Sequence, residues 1–264
     1  MDLVALSLAC LGASLAAFVL LWGVSLRLED SSIVDSTWGP AFVLVALVSA
    51  FLGEGYEGRR YLVLGLVATW GLRLGLHIFT RNRGRGEDPR YARMRERRGP
   101  SWRWVSLPQV FLLQAAILWI VSFPVQAIAA AEEPDSLTRL DLLGAVLWLV
   151  GFLFEAVGDL QLKDFKADPL NDGRVMDRGL WRYTRHPNYF GDAVVWWGIG
   201  LVAVQVEWGW AALVGPLLIT FLLLRVSGVA LLEHDLRKRK PGYEDYVRRT
   251  NAFIPGPPKS REPR

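Results

Sequence analysis

The residues best equipped for chemistry in this 264-residue chain gather between Asp159 and Asp192, in DLQLKDFKADPLNDGRVMDRGLWRYTRHPNYFGD. Arg174, Arg178, Arg182 and Arg185 lie there with Lys163 and Lys166, interleaved with Trp181, Tyr183 and Tyr189. Cations suit phosphates, and planar rings suit the face of adenine or nicotinamide. The same rings would also serve as an interfacial aromatic belt, and composition leaves both readings open. No GxGxxG and no GxxxxGK[ST] is present, so a nucleotide bound here would be held by side chains. Pro187 restricts His186 to extended geometry. It either aims Asn188 at a carboxamide or ribose hydroxyl, or simply opens a helix at its first position.

Other ionisable residues stand where apolar ones are expected. Arg73 and His77 are four apart and share a helix face, as do Glu155 and Asp159; Asp192 and Arg225 also fall inside apolar runs. Charges within a span face a protein interior or a wet cavity. Each could be a structural ion pair; together they argue for a polar cavity open to the cytoplasm. Asp35, just before Trp38, reads as a helix cap or as a residue of that cavity's mouth. Gly71 and Gly75 form a GxxxG, a place where a helix backbone can approach a neighbour.

The elements that must position these residues are membrane spans. A hydrocarbon core of about 30 Å needs about 20 apolar residues per helix. Seven runs fit: Leu3–Leu26, Trp38–Leu52, Tyr61–Thr80, Leu107–Ala130, Leu142–Leu162, Tyr189–Val206 and Trp208–Leu232. The second is short and must begin in the polar stretch before Trp38, and the last two should form a tight hairpin around Glu207. The first lacks a basic n-region and reads as a retained span. Of the 30 Lys+Arg, 25 fall in the stretches that an odd number of spans puts on one side. By the positive-inside rule the N-terminus is outside and the C-terminus cytoplasmic. The fold expected is all-α and polytopic, one integral membrane domain over residues 1–264. Within it, 1–140 supplies N-terminal spans on the substrate side and 141–264 the cofactor-binding part.

Several classes are excluded. The net charge of +4 comes with no nucleic-acid motif, so the basic stretches are read as setting orientation and attracting anionic lipid. Cys10 is the only cysteine and cannot pair within the chain, and three histidines make a structural zinc site untenable. No metal ligand is assigned.

Gly179 to Asp192, with Tyr243-Glu244-Asp245-Tyr246 and Phe253-Ile254-Pro255, resembles the DUF1295 family, in the superfamily that shares the C-terminal domain of steroid 5-alpha-reductases. The resemblance to DUF1295 extends over Asp35…Trp38-Gly39, Trp70…Arg73…His77 and Glu87-Asp88-Pro89-Arg90-Tyr91, nearly the whole chain. Likeness to sterol C14- and C7-reductases covers about Gly151 to Pro255. It implies NADPH as cofactor and a lipid or steroid-like substrate taken from the bilayer. Lys163 and Lys166 match residues that hold the adenosine 2′-phosphate, Trp181 a cofactor-contacting tryptophan, and Asn188 and Tyr189 the pair at the nicotinamide half. Asp192 matches the acidic residue that follows, Glu233 and His234 an acidic and a histidine position, and Lys240 and Tyr246 the pyrophosphate-side tail. Asp159, Arg185 and His186 complete the set expected at the cofactor.

The implied reaction is hydride transfer to the β-carbon of a polarised C=C bond, with protonation beside it. Steroid reductases polarise the substrate oxygen with a Tyr and a Glu from N-terminal spans, a pair this sequence does not place. Arg73 and His77 are the candidates for the proton-donating end, and a packed structural histidine is the competing reading. The rival function is a membrane methyltransferase of the isoprenylcysteine or phospholipid type. Such enzymes bind S-adenosylmethionine with a similar RHP-x-Y-x-G turn and a later Arg…Glu-Glu helix, where this chain has Arg225…Glu233-His234.

Overall fold

A computed structural model describes residues 1–226, 229, 233, 236, 237 and 240–259. The described residues are mostly helical and contain no strand. The helices are α1 (Leu3–Leu28), α2 (Ile33–Leu52), α3 (Glu57–Asn82), α4 (Pro89–Arg98), α5 (Trp102–Ser106) and α6 (Leu113–Val121). They continue with α7 (Phe123–Ala130), α8 (Arg139–Ala167), α9 (Pro187–Ala203), α10 (Gly209–Ala212), α11 (Val214–Phe221) and α12 (Tyr243–Arg249). Among the described residues six helical stretches are long and apolar enough to cross a bilayer: Leu3–Leu28, Ile33–Leu52, Glu57–Asn82, Pro89–Val121, Arg139–Ala167 and Gly209–Val226. Helix α9, in the place of the sixth expected span, has 17 residues, about 25 Å of rise. The chain is an integral, multi-pass, all-α membrane protein.

Boundaries differ from the sequence expectation where polar side chains or proline intervene. Helix α2 begins at Ile33 and carries Pro40 inside it. The fourth span was expected over Leu107–Ala130. Its helical path instead starts in the basic stretch, runs through a π-turn at Leu107–Leu112 and ends at Val121. Pro124 has no N–H to continue the ladder, so Phe123–Ala130 forms a separate helix. The seventh span's end, towards Leu232, lies largely outside the described residues.

Two compact units make up the chain: residues 1–141 with 203–215, and residues 142–202 with 216–264. In the first, α2 and α3 approach closely enough that a Cβ on Gly71 would sit 2.5 Å from the Gly39 carbonyl oxygen, and one on Gly75 would sit 2.6 Å from Pro40. The GxxxG therefore does what its spacing allows. Lipid offers no hydrogen bonds, so buried polar groups must pair internally. The Ser7 hydroxyl donates to Gln126 Oε1 (2.7 Å), the Gln126 amide to the Trp119 carbonyl (2.9 Å), and the Trp119 indole to the Ser7 carbonyl (3.0 Å). Arg59, near the start of α3, is fully buried. Its guanidinium donates to both Asp141 oxygens (2.8 and 3.1 Å) and to the carbonyls of Pro134 and Ser136. Asp141 also accepts from Thr138 N and Gln205 Nε2, which makes a closed network.

In the second unit α8 and α9 pack through glycines seven residues apart: Gly144, Gly151 and Gly158 on one, Gly191 and Gly198 on the other. A Cβ on Gly151 would lie 2.5 Å from Val195 N, one on Gly191 2.5 Å from the Gly151 carbonyl oxygen, and one on Gly198 2.6 Å from Trp148 N. At Gly144, Gly151, Gly191 and Gly198 a Cβ would fall within 3 Å of the facing helix, so something would have to shift to admit one. The helix ends at Ala167, before Asp168-Pro169, because proline disfavours helical geometry in the residue ahead of it.

Candidate functional site

The close α8–α9 seam sets the geometry of the second unit's polar residues. Glu155 and Asp159, one turn apart on α8, are both buried. Gly191 lies against Glu155, and Gly158 against Pro187 and Asn188. Pro187 opens α9, so the helix-start reading holds. The same turn brings the Asn188 amide to Asp159, donating to Oδ1 at 3.1 Å, while Asn188 Oδ1 accepts from Tyr189 N at 3.1 Å. Asp192 follows one turn into α9 and is buried. Along α8, Lys163 lies one turn beyond Asp159, and Lys166 a further three residues on; both are exposed.

The excursion between α8 and α9 is folded onto α8 by its own polar groups. Asp168 caps a short turn through Leu170 N (2.9 Å), and Gln161 Oε1 accepts from Leu180 N (3.0 Å). Trp181 is buried, its indole donating to the Gly158 carbonyl (3.0 Å). The Tyr246 hydroxyl donates to the Trp181 carbonyl, which pins α12 beneath the turn. Arg174, Arg178 and Arg182 remain exposed, with Arg178 over the Phe165 ring.

Arg185 and His186 are turned inward to a clasp. Arg185 Nε donates to Glu233 Oε1 (2.8 Å), its terminal nitrogen to the carbonyls of Val247 (3.1 Å) and Thr250, and its backbone N to the Asn251 carbonyl (2.9 Å). His186 Nε2 lies 3.2 Å from the same Glu233 oxygen, and its ring stacks on Tyr189. Burial would raise the Glu233 pKa, but the bonds from His186 and Arg185 outweigh it and bring it to about 2. Burial and the Glu233 charge push Tyr243 up to about 12, and burial first of all raises Tyr246. Lys240 donates from Nζ to the Arg174 carbonyl. His234 lies outside the described residues.

The structure thus brings Asp159, Asn188 and Tyr189 to one turn, with Lys163 and Lys166 further along α8. Trp181, Arg185, His186, Glu233 and Tyr246 form the packing that holds the tail to that turn. Arg73 and His77 sit one turn apart on α3 in the first unit, both half-buried.

One constellation was not read from sequence. At the start of α2, Asp35 accepts from the Tyr91 hydroxyl (2.8 Å) and from Arg90 (2.7 Å). Arg90 also bonds Asp88, and the Gln114 amide lies 3.5 Å from the Tyr91 hydroxyl. Glu87 accepts a fork from Arg95 (2.8 and 3.0 Å) and the Ser31 N–H (2.7 Å). In the sequence Asp35 reads as a helix cap or a residue of the cavity mouth, and Glu87–Tyr91 only as part of the family resemblance. Their partnership across 56 positions does not show there.

Fold and geometry define a class: a polytopic helical membrane protein with a polar turn between two glycine-packed helices. The chain belongs to the DUF1295 family, described as a protein of unknown function, whose profile matches residues 21–250. It is 27% identical over 278 residues to an uncharacterized protein of Schizosaccharomyces pombe, a match covering 91% of this chain and 78% of that one. Over 114 residues it is 31% identical to the 3-oxo-5-alpha-steroid 4-dehydrogenase 1 of Bos taurus, covering 43% of this chain and 41% of that protein. A 66-residue segment is 32% identical to a probable O-methyltransferase of Ustilaginoidea virens, 25% of this chain and 23% of that one. No solved structure matches the chain. The match to the 3-oxo-5-alpha-steroid 4-dehydrogenase spans less than half of either chain.

Proposed function

We propose that this chain is an NADPH-dependent membrane reductase acting on a C=C bond of a lipid or steroid-like substrate. Residues 141–264 are read as the cofactor-binding part and 1–140 as the substrate side. The observation that carries the reading is the Asp159–Asn188 pair beside the α8–α9 seam, with exposed Lys163 and Lys166 further along the same helix. The donor set suits a phosphorylated dinucleotide. Exposed lysines suit phosphate oxygens, and an amide held in one orientation by a carboxylate suits a carboxamide.

Bound NADPH would supply the hydride. In this reading Lys163 and Lys166 hold the 2′-phosphate, while Asn188, oriented by Asp159, fixes the carboxamide and hence the face presented. Tyr189, stacked on His186, gives that turn a flat apolar wall. The clasp of Arg185, His186 and Glu233, with Trp181 and Tyr246, keeps the turn closed around its backbone; Asp192 and Lys240 remain in the candidate set. For the proton, Arg73 and His77 are joined by Tyr91, whose hydroxyl is ordered by Asp35. The apolar helices exclude water and leave the substrate to enter from the bilayer.

The test is equilibrium binding of NADPH, NADH and S-adenosylmethionine to detergent-purified protein. NADPH should bind more tightly than NADH. Changing Lys163 and Lys166 to Ala should weaken NADPH by about 10–100-fold and leave NADH little altered. The partial methyltransferase match supports the rival reading. Saturable binding of S-adenosylmethionine without NADPH binding would overturn the reductase in its favour.

A further inference from the structure

Helix α4 carries more cation than its own fold uses. On one side it is locked to the first unit: Tyr91 is buried against Asp35, Arg90 bridges Asp35 and Asp88, and Arg95 forks onto Glu87. Arg93 and Arg97, four apart, lie on the remaining surface of the same helix, and Arg98, its last residue, is also exposed. Arg83 and Arg85 precede it, and Arg103 follows, also exposed. Among the described residues none of these six guanidiniums has a carboxylate partner. Glu96 is the only acid exposed on α4 itself.

The depth of this surface follows from the helix that continues it. After the turn at Gly99–Ser101, where Gly99 takes a positive φ of 56°, the helical path from Trp102 to Val121 rises about 30 Å, one hydrocarbon thickness. Its first turn holds Trp104, exposed and 6.0 Å from the Trp22 ring, whose indole in turn bonds the Arg103 carbonyl. Tryptophans of this kind mark the headgroup level. Helix α4 therefore stands just beyond the hydrocarbon, on the side that the distribution of basic residues makes cytoplasmic.

We propose that the outer face of α4, with its flanking arginines, is a docking surface for anionic phospholipid headgroups of the cytoplasmic leaflet. Ion pairs on the inner face hold the helix, so Arg93 and Arg97 are presented together, with Arg98 at the helix end. Guanidiniums grip phosphodiester oxygens in a forked geometry, and Trp104 packs at the glycerol level beside them. The inference does not rest on the reductase reading.

The experiment titrates detergent-purified full-length protein with mixed micelles containing phosphatidylglycerol or phosphatidylcholine, reading the thermal midpoint and the lipid retained. Phosphatidylglycerol should stabilise the protein saturably and phosphatidylcholine should not, with the effect shrinking as salt rises. The triple variant R93Q/R97Q/R98Q should need on the order of 100-fold more phosphatidylglycerol, and R93K/R97K/R98K should recover only part of the loss, restoring the charge without the fork. Equal half-saturation for wild type and the Gln variant would overturn the proposal. So would equal response to phosphatidylcholine, or inorganic phosphate or a short RNA binding as well as the lipid.

Discussion

At the scale of single residues, the same side-chain type takes different work depending on its neighbours. Arg185 is buried and tied to Glu233 and two carbonyls, whereas Arg178 and Arg182, a few residues earlier, are exposed. Changing Glu233 to Gln would leave the Arg185 charge without its counter-ion, a loss of about 2 kcal/mol or more in chemical denaturation. The pH dependence has a definite sign. The Glu233 pKa is lowered from about 4.3 unfolded to about 2 folded, so its stabilisation is complete above about pH 4.3 and fades as pH falls towards 2. A melting series over that window should show this slope in wild type and a smaller one in E233Q. At the seam, Asn188→Ala should weaken nucleotide binding with little change in melting, since Asn188 is only half-buried.

At the scale of elements, glycine spacing decides which helices touch. Gly151 and Gly191 each leave less than 3 Å for a Cβ against the other helix's backbone. Gly191→Val should therefore cost about 3 kcal/mol or more by overpacking, and should abolish nucleotide binding by moving Asn188 away from Asp159. The corresponding change at Gly65, where a Cβ meets nothing within 4 Å, should leave stability within about 1 kcal/mol. Arg59→Ala breaks a fully buried pair and should cost about 3–5 kcal/mol, seen as loss of folded protein in detergent.

At the scale of the whole molecule, the distribution of basic residues predicts which loops face the cytoplasm. Cys10 is the only cysteine and is buried, so single cysteines introduced by substitution can be labelled cleanly. A cysteine replacing Glu132 should react with a membrane-impermeant maleimide added to intact cells, and one replacing Arg97 only after lysis. The opposite pattern would reverse the orientation.

The apolar runs are local properties of the chain, so its polytopic all-α character was legible from the residues alone; their number was not, since seven runs were expected and six described helical stretches are long and apolar enough to span. Pro187 was legible as a helix start, because proline's constraint acts on its immediate neighbours. Only the tertiary structure decided that Asp35 meets Tyr91, that Arg59 meets Asp141, and that Arg185 and His186 turn inward to Glu233. Each pairing spans between 47 and 82 positions and depends on which helix backbones can close to glycine distance. A sequence names the groups that are costly to leave unpaired in lipid; three-dimensional packing chooses their partners, because pairing depends on which helices are brought together.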